Sequence, residues 1–406
     1  MESLASSFRA AGRIGRIKPS PSTAAAARVR ELKAEGRRIL DLTVGEPDFD
    51  TPAHIKQAAV AAIQAGETKY TPVNGTPQLR DAIRGSLLRT HGIEYSDAEI
   101  TVGGGGKQVI FLALMATVDA GDEVLVPAPY WVSYPDIVRA NEGTPIIVPT
   151  SADTGYKLTA DALEAAIGER TAWLILNSPG NPSGAVYSAD ELSALATVLR
   201  RHPRVSVLSD EIYSEISYTG SPAQSLAAVA PDLRHRVLVV SGVSKSYAMT
   251  GWRLGYAAGD PALIRAINTL QSQTSSCPSS ISQAAAAAAL SGPQDFIAET
   301  VPVYAERRDA AVAGLSAIEG LSPLVPDGAF YVYVDCAGLV GKRTEEGHTL
   351  ADDQDVTLYL LDHAGVAVIQ GSAYGQSPFF RISFATDLET IRSAIDAIAD
   401  AVGALR

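Results

Sequence analysis

A lysine closes an apolar run in this chain, among small and hydroxylated neighbours. Val237-Leu238-Val239-Val240 leads into Ser241-Gly-Val-Ser-Lys245-Ser-Tyr, and Arg253 follows eight positions after the lysine. An ammonium group at the end of a buried strand cannot readily reach water. It is held as the neutral amine or capped covalently, and an imine with an aldehyde is such a cap. Alone, Lys245 would read as a loop lysine on the surface, so its meaning depends on partners elsewhere in the chain.

Partners are present. Gly103-Gly-Gly-Gly-Lys107 precedes a helical run. A glycine-rich turn at a helix N-terminus offers free N–H groups and a favourable dipole to an anion such as phosphate. Gln108 after the lysine rules out a Walker loop, and the spacing is not that of a dinucleotide fingerprint. Asp210 closes Val205-Ser-Val-Leu-Ser-Asp210, and Tyr213 lies three residues on. A buried carboxylate needs a partner. A pyridinium nitrogen would serve, with Tyr213 reaching a phenolic oxygen of the same ring. A helix N-cap and a core tyrosine are the alternative. Asn177-Ser-Pro-Gly-Asn181-Pro-Ser-Gly184 is a rigid turn with Asn181 as its best hydrogen-bonding side chain. Trp131, in Pro129-Tyr-Trp-Val-Ser-Tyr-Pro135, offers either a flat face for a heteroaromatic ring or ordinary core packing.

Composition excludes several other chemistries. The net charge is −12 and no basic run marks a nucleic-acid face. Cys277 and Cys336 are far apart, have no metal-ligand spacing and fit a reducing compartment, and the histidines form no pair or cluster for zinc. No apolar run reaches the roughly 18 residues of a membrane span. Arg9, Arg13, Arg16 and Lys18 resemble a targeting peptide in composition. They read here as a flexible basic arm ending at Lys18-Pro-Ser-Pro21, where the prolines stop any helix. No apolar region of a secretory signal follows them, and the expected location is the cytoplasm.

These residues must be positioned by alternating strands and helices. Short apolar segments at Glu123–Pro127, Pro145–Val148, Ala172–Asn177, Val205–Ser209, Val237–Ser241 and Gly255–Ala258 read as buried strands. Helical spacing fills Lys107–Val118, Ser188–Arg200 and Asp260–Gln273. The alternation predicts an α/β unit with a mostly parallel sheet, whose ligands gather at the carboxyl ends of the strands. From Gln294 the pattern changes to a long helix over Phe296–Leu315, strands at Ala329–Val334, Val366–Ile369 and Phe380–Phe384, and a last helix near Leu388–Val402. The expected division is an N-terminal arm, 1–49, joining a small α+β domain, 294–406, with a large domain, 50–293, between them.

Taken together, the motifs resemble the pyridoxal-phosphate-dependent class I aminotransferases, and most closely their bacterial aspartate aminotransferase branch. The matching elements run in order through nearly the whole chain. They are Lys18-Pro-Ser, Val44-Gly-Glu-Pro-Asp-Phe-Asp-Thr-Pro52, Lys69-Tyr-Thr-Pro72 with Gly75, Gly105-Gly-Lys-Gln108, Pro129–Pro135, Asn177–Gly184, Asp210-Glu-Ile-Tyr213, Ser244-Lys245 with Gly251-Trp-Arg253, and Phe380-Arg-Ile-Ser-Phe-Ala385.

The resemblance implies fold type I: a large domain with a mostly parallel seven-stranded sheet between helices, and a smaller α+β domain. It implies pyridoxal 5'-phosphate held as an imine on Lys245, which then shuttles a proton. Asp210 would pair with the ring nitrogen, Tyr213 and Asn181 with the phenolic oxygen, and Trp131 with the ring face. Gly105, Gly106, Lys107, Ser244 and Arg253 would surround the phosphate, with Tyr70 reaching that of a neighbouring subunit in a homodimer. Arg381 would clamp the substrate α-carboxylate, and Gly45 would let the backbone come close to it. Trp131 and Asn181 would border the substrate as well.

The expected reaction is amino transfer from aspartate to 2-oxoglutarate, with prephenate or aromatic substrates as alternatives. Where some relatives use a partner's arginine for a second carboxylate, Gln271–Pro278 has none; Lys107, and Lys18 on a closing arm, would take that role. Two other classes are a lyase or decarboxylase of the same fold and a non-catalytic regulator. The second would need a DNA-binding module, for which the stretch before Gly45 is too short.

Overall fold

The computed structural model describes residues 9–19 and 21–406. Its centre is a seven-stranded sheet in the order Ile100–Gly103, Gly255–Ala258, Val237–Gly242, Ser206–Asp210, Thr171–Asn177, Glu123–Ala128, Thr144–Pro149. Gly255–Ala258 runs antiparallel to both its neighbours, and the other pairings are parallel. The six predicted strands all form, within two residues of their expected ends. Ile100–Gly103 was not foreseen, because it is short and its burial comes from its place beside Gly255–Ala258.

The central strands are Val-, Leu- and Ile-rich because helices cover both faces of the sheet. Leu125, Leu174, Leu176 and Val207 pack into one core with the helices Ala53–Gln64, Pro77–His91, Ala189–Arg201 and Ser280–Ser291. Val124, Val126, Ile175 and Leu208 pack on the other face against Gly106–Met115 and Pro261–Thr274. Local signals fix the helix starts: Ser188 forms a capping box with Glu191, and Asp260 caps a helix that opens on Pro261.

A second body lies beyond. Ile369–Gln370, Phe379–Ser383, Tyr331–Asp335 and Ser322–Pro323 form an antiparallel sheet in that order. The helices Asp295–Ser316 and Leu388–Gly403 share a core with its inner face, including Tyr304, Phe330, Val332, Phe380 and Ile398. Leu40–Asp41 pairs in parallel with Val366–Ala367, so the chain's beginning is tied to its end.

Two expectations here need correction. Val366–Ile369 is not one strand: Val366–Ala367 and Ile369–Gln370 pair in different sheets, and the chain changes sheet at Val368. The strand expected from Ala329 starts at Tyr331, since Ala329 has φ +57°, a left-handed conformation no strand accommodates.

The basic arm also differs from expectation. Residues 1–8 and Ser20 lie outside the described residues. Gly12–Arg16 forms a 3-10 helix, and Arg16 bonds the Arg139 carbonyl at 3.2 Å and Glu142 at 3.3 Å. The next helix, Pro21–Ala34, begins at the proline expected to stop one. No helix among the described residues is long and apolar enough to cross a membrane, and none of their His, Cys, Asp or Glu groups forms a set that could hold a metal.

Candidate active site

The carboxyl ends of the central strands open on a cavity of about 500 Å³, bordered on the far side by the smaller body. That size suits a cofactor or a small substrate. Val237–Gly242 ends just before Ser244 and Lys245, and both residues line the cavity. The Lys245 amine donates to the Gly45 carbonyl at 2.5 Å and sits about 6 Å from the ring centres of Tyr213 and Phe330. Burial among these groups lowers its pKa from 10.5 to about 8; Glu46 and Asp210 oppose the shift, while Arg381 and Arg253 reinforce it. An amine so placed is a nucleophile and a proton acceptor close to neutral pH.

Asp210 ends the adjacent strand and is 6% exposed. No helix begins beside it, so the N-cap alternative does not hold. Its Oδ2 accepts from the Tyr134 hydroxyl at 2.6 Å, and its Oδ1 from the Ile212 N–H at 3.3 Å. Burial raises its pKa from 3.8 to about 6 against the pull of those two donors. At neutral pH it is a carboxylate with few partners, which a protonated ring nitrogen would complete.

The glycine turn behaves as a cradle. Gly105 has φ +96°, and a Cβ there would lie 2.6 Å from the Arg253 guanidinium. A Cβ on Gly255 would lie 2.2 Å from the Gly106 nitrogen, so two glycines let the turn rest on the sheet. Arg253 Nη1 donates to the Thr250 carbonyl at 2.9 Å. Lys107 stands 4.7 Å from the Trp131 ring centre, and burial, then Arg253, lowers its pKa. Among the described residues neither cation forms an ion pair. Two unpaired cations at a helix N-terminus are a fit for a phosphate dianion.

Across the cavity, Arg381 is 3% exposed. Its Nη2 donates to the Thr43 carbonyl at 2.6 Å and its Nη1 to Asn181 Oδ1 at 3.1 Å; Nε is buried without a hydrogen-bond partner. The guanidinium lies 4.3 Å from the Tyr331 ring centre. An arginine with donor capacity to spare suits an incoming carboxylate. The Tyr213 hydroxyl is 2.8 Å from that of Tyr331.

Gly45, Gly105, Gly106, Lys107, Trp131, Asn181, Asp210, Tyr213, Ser244, Lys245, Arg253 and Arg381 therefore line one cavity, though the sequence scatters them over more than 330 positions. Two predicted residues lie elsewhere in this single chain. Lys18 is exposed on the arm, and Tyr70 is 90% exposed. Neither borders the cavity.

Thr43, Glu46, Tyr134, Thr250 and Tyr331 belong to its lining and were not singled out in the sequence. Glu46 accepts from Thr250 at 2.7 Å. Tyr134 lies inside the quoted Pro129–Pro135 motif, where its role was hidden by an aromatic's usual place in a core. Tyr331 lies in an apolar strand and gave no separate signal.

Comparison with known proteins gives a consistent picture. The family described as aminotransferase class I and II matches residues 37–398. An aspartate aminotransferase of Rhizobium meliloti is 52% identical over 394 residues, 97% of this chain and 96% of the relative. An aspartate/prephenate aminotransferase of Cereibacter sphaeroides is 50% identical over 381 residues, 94% of this chain and 95% of the relative. Among solved structures, the crystal structure of the Rhizobium meliloti aspartate aminotransferase superimposes with a TM-score of 0.96 at 51% identity, covering 98% of this chain and all of that one. The Thermus thermophilus aspartate aminotransferase with maleate gives 0.90 at 38% identity, covering 97% of this chain and all of that one.

Proposed function

The chain belongs to the class I and II aminotransferases, and from that premise we propose that it moves the amino group of L-aspartate to 2-oxoglutarate. It is a transaminase and works with pyridoxal 5'-phosphate. The observation carrying the reading is that Lys245, Asp210 and Arg381 meet in one cavity: a basic amine, a carboxylate short of partners and a carboxylate clamp.

Gly105, Gly106, Lys107, Ser244 and Arg253 would hold the cofactor's phosphate. Asp210 would hold its ring nitrogen, Tyr213 and Asn181 its phenolic oxygen, Trp131 its face, and Lys245 would be its covalent anchor. When bound, the cofactor delocalises the electron pair left on the substrate Cα after deprotonation.

The chain's own groups do the rest. Arg381 receives the α-carboxylate and orients the Cα–H bond, with the Gly45 backbone close beside it. Lys245 Nζ, its proton affinity lowered by burial, takes the Cα proton and gives it up again within the site. Asp210 Oδ would hold a ring nitrogen beside it protonated, because a carboxylate so poor in partners favours a nearby cation. Tyr134 fixes that carboxylate at one oxygen.

Aspartate as donor is supported by the names of the relatives and by Lys107, a cation beside Trp131 that can meet a second carboxylate. Lys18 would add a second cation if the arm closed over the cavity. Prephenate is a further acceptor under this reading, favoured by the aspartate/prephenate relative. We assign the protein to the cytoplasm and to a homodimer in which Tyr70 of each subunit reaches the other's phosphate. Its division is an arm, 1–49, a cofactor-binding domain, 50–293, and a small domain, 294–406.

The test is a half-reaction screen. Each common L-amino acid is titrated into the yellow, cofactor-loaded enzyme, and conversion to the pyridoxamine form is followed by absorbance. Aspartate and glutamate should convert it at the lowest concentrations. Conversion by aromatic or alanine-type donors alone would overturn the substrate assignment, and release of pyruvate and ammonia without conversion would indicate a lyase.

A further inference from the structure

Tyr331 is 1% exposed, yet it belongs to the lining of the cavity. It opens the strand Tyr331–Asp335, next to the strand Phe379–Ser383 that carries Arg381. Two contacts distinguish it from a filler of core space. Its hydroxyl is 2.8 Å from the Tyr213 hydroxyl, with the two rings edge to face at 82°. Its ring centre is 4.3 Å from the Arg381 guanidinium carbon. A Cβ on Gly45 would lie 2.9 Å from the same hydroxyl, so the substrate-side backbone closes over it. Phenylalanine would fill this space without a buried hydroxyl to satisfy. The hydroxyl therefore calls for a reason beyond packing.

We propose that Tyr331 is a positioning residue serving both halves of the site: its hydroxyl donates to the Tyr213 oxygen and turns the Tyr213 O–H toward the cofactor, and its ring supports Arg381 beneath the substrate carboxylate. The proposal rests on the function given above. A phenol that accepts a hydrogen bond becomes a stronger donor, since chains of hydrogen bonds polarise one another. Tyr213 is then a better partner for an anionic oxygen than a lone phenol. The guanidinium gains from the face of an electron-rich ring when water is excluded, and it is held in the plane from which it meets a carboxylate.

The two contacts can be separated by substitution. Tyr331→Phe keeps the ring and removes the hydroxyl; Tyr331→Met keeps most of the volume and removes both. In the cofactor-loaded protein, the first readout is the pH midpoint of the absorbance change of the chromophore on Lys245. Weakening Tyr213 as a donor leaves more negative charge on the phenolic oxygen, which holds the neighbouring proton more tightly. Both variants should therefore titrate higher than wild type, by roughly half a unit to one unit. The second readout is KM. Tyr331→Phe should stay within about twofold of wild type, while Tyr331→Met should raise KM about threefold to tenfold for aspartate and for a monocarboxylic amino acid alike.

Wild-type protein without a pH-dependent chromophore would overturn the functional reading itself. With a normal wild-type titration, an unchanged or lowered midpoint in Tyr331→Phe overturns the hydroxyl's role. An unchanged KM in Tyr331→Met overturns that of the ring. If Tyr331→Met does not fold, the Phe titration still decides the first half, and a Tyr331→Leu variant replaces it for the second.

Discussion

The wall built by the seven-stranded sheet and the wall contributed by the smaller body hold their charges by different means. Asp210 and Lys245 follow one another at the carboxyl ends of paired strands, and burial displaces both, one up to about 6 and the other down to about 8. Arg381 lies in the middle of its strand, opposite Tyr333, and its charge is spread over two acceptors and the Tyr331 and Tyr374 faces. A group that must exchange or balance a proton is left short of partners, so that its affinity can be shifted. A group that must stay charged is held by acceptors and ring faces that favour the cation, with Nε still left for a ligand. Strand ends suit the first, because the ladder of backbone bonds stops there and leaves room for a ligand; guanidinium chemistry permits the second.

The comparison is broken most severely at Lys245. Lys245→Ala should abolish the chromophore and lower the rate of amino transfer by on the order of 10⁴-fold or more. Spectra and single turnovers read both, and near-wild-type turnover would remove the lysine from the mechanism. Asp210→Asn comes next, with a loss of roughly a hundred- to several-thousand-fold in the proton-transfer step. Cofactor binding should suffer less than the rate.

The same variant sharpens the contrast in the cofactor-free protein. The Asp210 proton is bound more tightly folded than unfolded, so its stabilising contribution is full below 3.8 and is lost as pH rises through about 6. Cofactor-free Asp210→Asn should therefore be more stable than wild type at pH 7 to 8, by up to about 3 kcal/mol, and this advantage should shrink as pH falls through about 6 and vanish below 3.8. Thermal melts across pH check this. A melting point below wild type at pH 8 would mean that the carboxylate is well paired without the cofactor.

Arg381→Lys tests the other wall. It keeps the charge but loses the fork and the flat face, and kcat/KM should fall by about tenfold to a hundredfold. The pH midpoint of the Lys245 chromophore should move much less. The smallest effect is expected at Lys18. Lys18→Ala should raise KM for aspartate by about threefold and leave a monocarboxylic amino acid unaffected. Equal effects on both would detach the arm from substrate choice.

Much of the sheet wall was legible in the sequence. Val237–Gly242 and Ser206–Asp210 announce themselves as short segments built on Val and Leu, and the residue closing or following each is polar where the pattern demands an apolar one. The glycine turn before Lys107 carries its own reason, since only glycine accepts the conformation at Gly105 and the contact at Gly255. The opposite wall was legible mainly through the motif around Arg381. Tyr331 looked like any strand tyrosine, and Val366–Ile369 hid a change of sheet within four residues. Strands of two residues leave no periodicity to read.

What the sequence by itself determined is local: which runs become strands, where helices begin, and which ionisable residues stand at the ends of buried segments. Tertiary structure alone decided who meets whom. Tyr134 reaches Asp210 from 76 residues away, and Arg381 reaches Asn181 across 200. Neither pairing follows from spacing, because it is the stacking of strands in an order unlike that of the chain that brings them together. The shifted proton affinities are tertiary too, for they come chiefly from the water excluded once both walls are in place.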